Sequence, residues 1–205
     1  MSGPSALWVF ASANEAKLRE IHALLEHAAI DIAPQSDFGI ASPEETASTF
    51  VENALIKARH AALASGLPAL ADDSGLTVEA LGGAPGIRSA RFAGAQADDR
   101  ANVAKLLEAL EQVPDEQREA RFHCVIVALR DPNDPAPLIS QGEWRGLITR
   151  AARGEGGFGY DPVFFDPLRH ATAAELSAEE KNRVSHRGRA LRGLARQLAR
   201  GGPDG

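Results

Sequence analysis

This chain of 205 residues has a single cysteine, 5% aromatic residues, no excess of basic charge and no long apolar run. Each shortage excludes something. The lone thiol, Cys124, rules out an intramolecular disulfide and any multi-cysteine metal centre, as expected in a reducing compartment. It falls in the apolar run 122–129, the setting of a buried, inert thiol rather than a nucleophile. Lysine and arginine number 22 against 28 acids, and the charge of −6 speaks against a general nucleic-acid binder and against a membrane-surface role. No apolar stretch approaches the length of a membrane helix. Ala11-Ser12-Ala13 imitates a signal cleavage site, but no Lys or Arg precedes it and the apolar part is short. The expectation is a cytoplasmic protein. What is present is an ordinary globular composition, 44% hydrophobic and 24% charged, sized for one domain over 1–205 or two lobes around one core.

The stretch that organises the rest is Ala71-Asp72-Asp73-Ser74-Gly75-Leu76. A strand-like run, 67–71, ends there in two adjacent carboxylates, a hydroxyl and a glycine. Side-by-side acids repel, and ionising both calls for solvent or a cation between them. Oxygen-only ligands of this kind suit a divalent metal, and magnesium typically arrives with substrate phosphates. A solvated turn uses the same residues, since Asp, Ser and Gly are ordinary turn formers. Locally, both readings stand.

Around this stretch the periodicity alternates between strand and helix. Residues 7–11 read as a buried first strand, followed by Ser12-Ala13-Asn14-Glu15-Ala16-Lys17 and a helical recurrence of Leu18, Ile21, Leu24, Leu25 and Ala28. Asn14 suits an N-cap. A strand that gives way to small and polar residues at a helix start leaves free backbone N–H groups, a ready anion site to which Lys17 adds a full charge. An ordinary strand-to-helix junction with an exposed lysine fits as well. Residues 30–33 read as a short strand, then 34–48 as a loop containing Glu44-Glu45-Thr46. A helix is expected over 49–65, with Phe50, Val51, Ala54, Leu55, Ala58, Ala61 and Ala62 as its apolar stripe. Asn53 and Lys57, four apart, share a face of it, and water is the default surrounding for that lysine.

Beyond Leu76 an extended pattern resumes to 81, and the glycine-rich 82–86 reads as a tight structural turn. Asp98 or Asp99 caps a helix expected to run to Val113. Residues 120–129 and 138–148 read as two long strands in a hairpin-like pair, with His123 as a hydrogen-bonded strand histidine. The run 154–162 combines glycines with Phe158, Tyr160 and Asp161, offering an aromatic face for stacking and an acceptor for ring N–H groups. A mobile loop before a strand over 163–165 is its plainer reading. Ser177 and Glu180 form a capping-box pattern opening a helix, with Lys181, His186 and Arg187 following. Arg192, Arg196 and Arg200 form a solvated face opposite Leu191, Leu194 and Leu198.

Taken in order, these pieces resemble the inosine/xanthosine triphosphate pyrophosphatases that cleanse the pool of deaminated purine nucleotides. The matching segments are 12–17, 44–46, 49–54, Lys57-Ala58, 71–76, 82–87, 157–162, Lys181 and 185–188, nearly the whole chain. One departure is that the family usually has Thr-Gly-Asn where this chain has Ser12-Ala13-Asn14. The resemblance implies a mixed α/β fold with an elongated twisted sheet flanked by helices, two lobes with the active-site cleft between them, and a homodimer. It implies hydrolysis of ITP, dITP or XTP to the monophosphate and pyrophosphate, with Mg2+ as cofactor and no nucleic-acid or membrane partner. By the same resemblance Glu45, Asp72 and Asp73 are metal residues, and Asp73 and Lys57 catalytic ones. Substrate contacts fall to Ser12, Ala13, Asn14, Glu15, Ala16, Lys17 and Ser74, and on the base side to Phe158, Gly159, Tyr160, Asp161, Lys181, His186 and Arg187. Competing readings are a pyrophosphatase for pyrimidine or modified nucleotides, a non-hydrolytic nucleotide sensor, and a nucleic-acid binder using the C-terminal arginines. The net charge opposes the last.

Overall fold

The computed structural model describes residues 6–12, 14–25 and 30–200. Seven strands form one sheet in the order β2-β1-β3-β4-β5-β6-β7. These are β1 (Ala6–Phe10), β2 (Ile30–Pro34), β3 (Ala69–Val78), β4 (Glu119–Leu129), β5 (Leu138–Ile148), β6 (Phe164–Asp166) and β7 (Ala171–Thr172). β1 pairs in parallel with β2 and β3, while β5, β6 and β7 pair antiparallel, so the sheet is mixed. Its helices are α1 (Glu15–Leu25), α2 (Phe50–Ser65), α3 (Asp99–Ala109), α4 (Ala178–Val184) and α5 (His186–Arg200). This is the mixed α/β fold with a helix-flanked sheet that the resemblance implies.

The chain divides into two compact units. Unit 1 comprises Met1–Asp73, Cys124–Gly142 and Arg187–Gly205, and unit 2 comprises Ser74–His123 and Glu143–His186. In unit 1 the two faces of the strands are buried differently, because successive strand residues point to opposite sides. Leu70, Phe10, Cys124 and Ile126 pack with Ile21 of α1 and with Ala190, Leu191 and Leu194 of α5. Ala69, Ala71, Val9, Val125 and Val127 pack against Ala54, Ala58, Ala61 and Ala62 of α2. That alanine stripe lets α2 lie close to the strands. Unit 2 has its own core of Leu76, Val78, Leu106, Leu110, Phe122, Trp144, Tyr160 and Phe164.

Caps define the helix ends. The Thr49 hydroxyl accepts from Glu52 N and donates to the Glu52 carboxylate, capping the start of α2. Gly66, at φ 70°, ends it in the left-handed conformation that lets its N–H reach Ala62 O. Asp98 caps α3 through Ala101 N, and Ser177 caps α4 through Glu180 N.

Three expectations are corrected. β3 does not stop at Asp72 and restart at Leu76; it runs unbroken through Asp72-Asp73-Ser74-Gly75. Helix α3 ends at Ala109 rather than Val113, with Leu110 as its C-cap. The helical pattern after Ser177 is two helices, because Ser185 takes an extended conformation (φ −66°, ψ 160°) between α4 and α5.

Candidate active site

Asp72 and Asp73 are buried in mid-strand, 1% and 7% exposed, so neither belongs to a solvated turn. What overrides their turn propensity is charge: alternation along β3 sends one to each face, and each meets cations there.

Asp73 shares its face with α2. Lys57 Nζ donates to Asp73 Oδ1 at 2.8 Å and to Glu45 Oε1 at 3.0 Å, so the two carboxylates converge on one ammonium. Lys57 is itself buried, contrary to the default of an exposed lysine. One turn earlier on α2, buried Asn53 accepts from Ala47 N at 3.1 Å and holds the loop that carries Glu45. Burial lowers the Lys57 pKa, but the charges of Asp73, Asp72 and Glu45 outweigh it and the net shift is upward. The Asp73 carboxyl is also shifted up, because burial and the repulsion of Glu45 outweigh the attraction of Lys57.

Asp72 lies on the opposite face with α1 and α5. Lys17 Nζ is 2.9 Å from Asp72 Oδ2 and Arg187 Nη2 is 3.5 Å from the same oxygen. Arg187, 2% exposed, also bonds Glu20 of α1. Burial would raise the Asp72 pKa, yet Lys17, Arg187 and Lys57 hold it far below the usual carboxylate range. Burial opposes the charge on Arg187, and Asp72 and Glu20 restore it and push its pKa up. Nearby Cys124 is pushed up to about 12 by burial and by the charge of Asp72, which keeps the thiol protonated and inert, as expected from its apolar strand.

The start of α1 has the expected form. Lys17 N donates to Asn14 Oδ1 at 3.0 Å, making Asn14 the N-cap, and Asn14 N donates to Ser12 Oγ at 3.1 Å. Ala13 lies outside the described residues, as do Ala28 of the expected apolar stripe and the tail 201–205. Glu15 and Ala16 supply the first turn of α1. Ser74, half-buried, follows Asp73 in β3.

In unit 2 the structure gathers a second set. Lys181 Nζ lies 2.6 Å from Asp161 Oδ2 and 4.9 Å from the centroid of the Phe158 ring. The same Asp161 oxygen accepts from Phe158 N at 2.8 Å. Gly157, at φ 74°, makes this possible, because a Cβ there would sit 2.1 Å from Asp161 Oδ2. Tyr160 is buried and its hydroxyl donates to Ser89 O at 2.8 Å. Gly159 N donates to Asp99 Oδ2 at 2.7 Å. His186 is buried with its ring stacked on Phe122, centroids 4.7 Å apart.

Arg187 follows His186 by one helical position, which turns it about 100° around α5 and toward Asp72. Asp72 pairs with Lys17 and Arg187 on the strand face opposite Asp73, while its charge still acts on Lys57. Among the described residues no group of three or more His, Cys, Asp or Glu side chains is arranged to hold a metal ion. The pair that does converge fits Mg2+ in chemistry. It offers hard carboxylate oxygens in the number Mg2+ takes when waters and phosphates complete its shell, and Asp73 carries charge that Lys57 alone does not balance.

Sequence reasoning missed Glu20, Asp99 and Ser89, and did not give Asn53 its part in holding the loop. Glu20 had a signal, standing three residues after Lys17 on one helix face. Ser89 and Asp99 had none, because their bonds to Tyr160 and Gly159 each run through a backbone group distant in sequence.

A mixed α/β protein with lysine–carboxylate pairs beside a helix N-terminus, and an aromatic–lysine–aspartate set elsewhere, belongs to the class of phosphate-handling nucleotide enzymes. The comparisons place it further: the chain belongs to the Ham1 family, whose family model matches residues 8–197. It is 58% identical over 193 residues to a Shigella flexneri protein named dITP/XTP pyrophosphatase, covering 94% of this chain and 98% of that protein. A solved HAM1 protein from Coxiella burnetii superposes with a TM-score of 0.89 at 54% identity, covering 95% of this chain and 99% of the other. The Staphylococcus aureus Ham1 protein gives 0.84 at 39% identity, covering 94% and 98%.

Proposed function

We infer that this chain hydrolyses the deaminated purine nucleoside triphosphates ITP, dITP and XTP to the monophosphate and pyrophosphate. One observation carries this: the chain spans 98% of a relative named dITP/XTP pyrophosphatase at 58% identity. The residue roles are our assignment from the geometry above.

In unit 1, Lys17 and Lys57 neutralise phosphate oxygens, each exchanging part of its carboxylate contact for the substrate. Ser12, Asn14 and the free N–H groups at the start of α1 complete the anion site. Asp73 positions the attacking water and takes its proton on the carboxylate. Burial and Glu45 raise the Asp73 pKa, but a carboxylate that also holds a metal ion is a weak base, so positioning the water is its larger contribution. Glu45 and Asp73 would hold Mg2+, with Asp72 confined to charge balance. When bound, the ion offsets charge on the phosphates and on the leaving pyrophosphate.

In unit 2, Phe158 stacks on the base and Lys181, fixed by Asp161, presents a donor; His186 is a second donor. Hypoxanthine and xanthine carry a 6-oxo acceptor and an N1–H donor, the reverse of the adenine edge. A donor aimed at O6 meets the adenine amino group donor to donor, a buried mismatch costing ~2 kcal/mol or more, about thirtyfold. Guanine shares the 6-oxo group, so its exclusion has to act on the 2-amino substituent. The enzyme works as a homodimer in the cytoplasm. Among the described residues no helix is long and apolar enough to cross a membrane.

The test is a nucleotide panel (dITP, XTP, dGTP, dATP, dTTP, UTP) with Mg2+ present or chelated, scoring pyrophosphate against orthophosphate. Pyrophosphate released fastest from dITP and XTP, and lost on chelation, is the expected result. Fastest turnover of dTTP, or orthophosphate as the direct product, would overturn the reading.

A further inference from the structure

Asp99 stands outside the set assigned to the base and yet binds the 157–161 loop directly. Asp98 already caps α3, so the Asp99 carboxylate is released from helix capping and accepts from Gly159 N at 2.7 Å. The loop needs such an anchor. Gly157 and Gly159 both have positive φ, 74° and 61°, and glycines of this kind leave the chain between them loosely specified. Two carboxylates remove that freedom on either side of Phe158: Asp161 accepts from Phe158 N and Asp99 from Gly159 N. Tyr160 closes the loop through Ser89 O, and Ser89 in turn bonds Leu76 N and Gly86 O. The Phe158 ring direction, and with it the contact to Lys181 Nζ, is therefore set by backbone that Asp99 holds. A charge-assisted bond of 2.7 Å is a strong one of its kind.

We propose that Asp99 is a positioning residue for base selection, fixing the Phe158–Gly159 backbone so that the aromatic face and the Lys181 donor meet a 6-oxopurine in register. The inference rests on the function assigned above. Because Asp99 is exposed and contributes no apolar contact to the unit 2 core, its substitution does not threaten folding.

The test compares wild type, Asp99→Ala and Asp99→Asn as full chains, measuring kcat and KM for dITP and dATP and inhibition by inorganic tripolyphosphate. Asp99→Ala is expected to raise KM for dITP about tenfold, the loss of one charge-assisted bond. It should narrow the preference for dITP over dATP, whose 6-amino group the same donor rejects, and leave the inhibition constant of tripolyphosphate, which has no base, unchanged. Asp99→Asn keeps a neutral acceptor and should recover part of the loss. Wild-type KM and preference in Asp99→Ala would overturn the proposal. So would an equal fall in kcat for both nucleotides, or weakened tripolyphosphate binding, either of which marks a general structural role. Wild type releasing no pyrophosphate from dITP would instead remove the functional reading itself, and the inference with it.

Discussion

Asp72 and Asp73 are neighbours in one strand, identical in chemistry and both buried, yet their surroundings drive them in opposite directions. On the α1 and α5 face Asp72 meets two cations, Lys17 and Arg187, and its carboxyl is held far below the ordinary range. On the α2 face Asp73 meets one ammonium that it must share with Glu45, and its carboxyl is shifted up. The first is over-compensated and serves as fixed countercharge. The second is under-compensated, which suits it to bind a cation and to accept a proton. On the roles proposed above, a pair of acids that looks redundant along the chain is divided in function by the alternation of a strand.

The sharpest way to break this contrast is Asp73→Asn. Turnover of dITP should fall about a thousandfold, the scale of a lost general base, while the Kd for dITP measured calorimetrically stays close to wild type. Asp72→Asn should not reproduce that profile. A smaller effect sharpens the metal side. Glu45→Gln should raise the Mg2+ concentration for half-maximal velocity about tenfold or more, and Asp72→Asn should leave it unchanged. An Mg2+ titration of pyrophosphate release reads both.

The smallest effect concerns Asp166, a carboxylate of unit 2 that resembles Asp72 in being held down. Burial would raise its pKa, but Trp144 Nε1–H, Arg169 and Leu168 N–H outweigh that and lower it. A depressed folded pKa contributes stability above the unfolded value near 3.8 and loses it as pH falls through the folded one. Urea midpoints compared at pH 7 and pH 3 should therefore converge in Asp166→Asn relative to wild type.

Much of the fold was legible because it depends on local pattern. The apolar run into β1, the alanine-rich stripe of α2, the Asn14 and Ser177 caps and the Gly66 stop all act within a few residues of themselves. The continuation of β3 through Asp72-Asp73-Ser74-Gly75 was not legible, since residue propensities there favour a turn and the stabilising cations come from positions 17, 57 and 187. Site membership followed the same division. Glu45, Lys57 and Asp73 were found together, as were Phe158, Asp161 and Lys181. The ion pairs of Arg187 and Asp72 were not legible, because one residue along a helix or a strand redirects a side chain by about 100° or 180°. Asp99 accepts from a backbone N–H and Ser89 accepts from Tyr160 through its own backbone carbonyl, and backbone groups carry no sequence label at all.

Urea unfolding of Asp72→Asn and Asp73→Asn, side by side at pH 7 in metal-free buffer, tests the division most directly. Asp72→Asn strips countercharge from buried Arg187 and half-buried Lys17 and should lose about 3 kcal/mol, whereas Asp73→Asn removes a poorly balanced buried charge, leaves Lys57 paired with Glu45, and should lose clearly less. Equal destabilisation of the two variants would contradict the account.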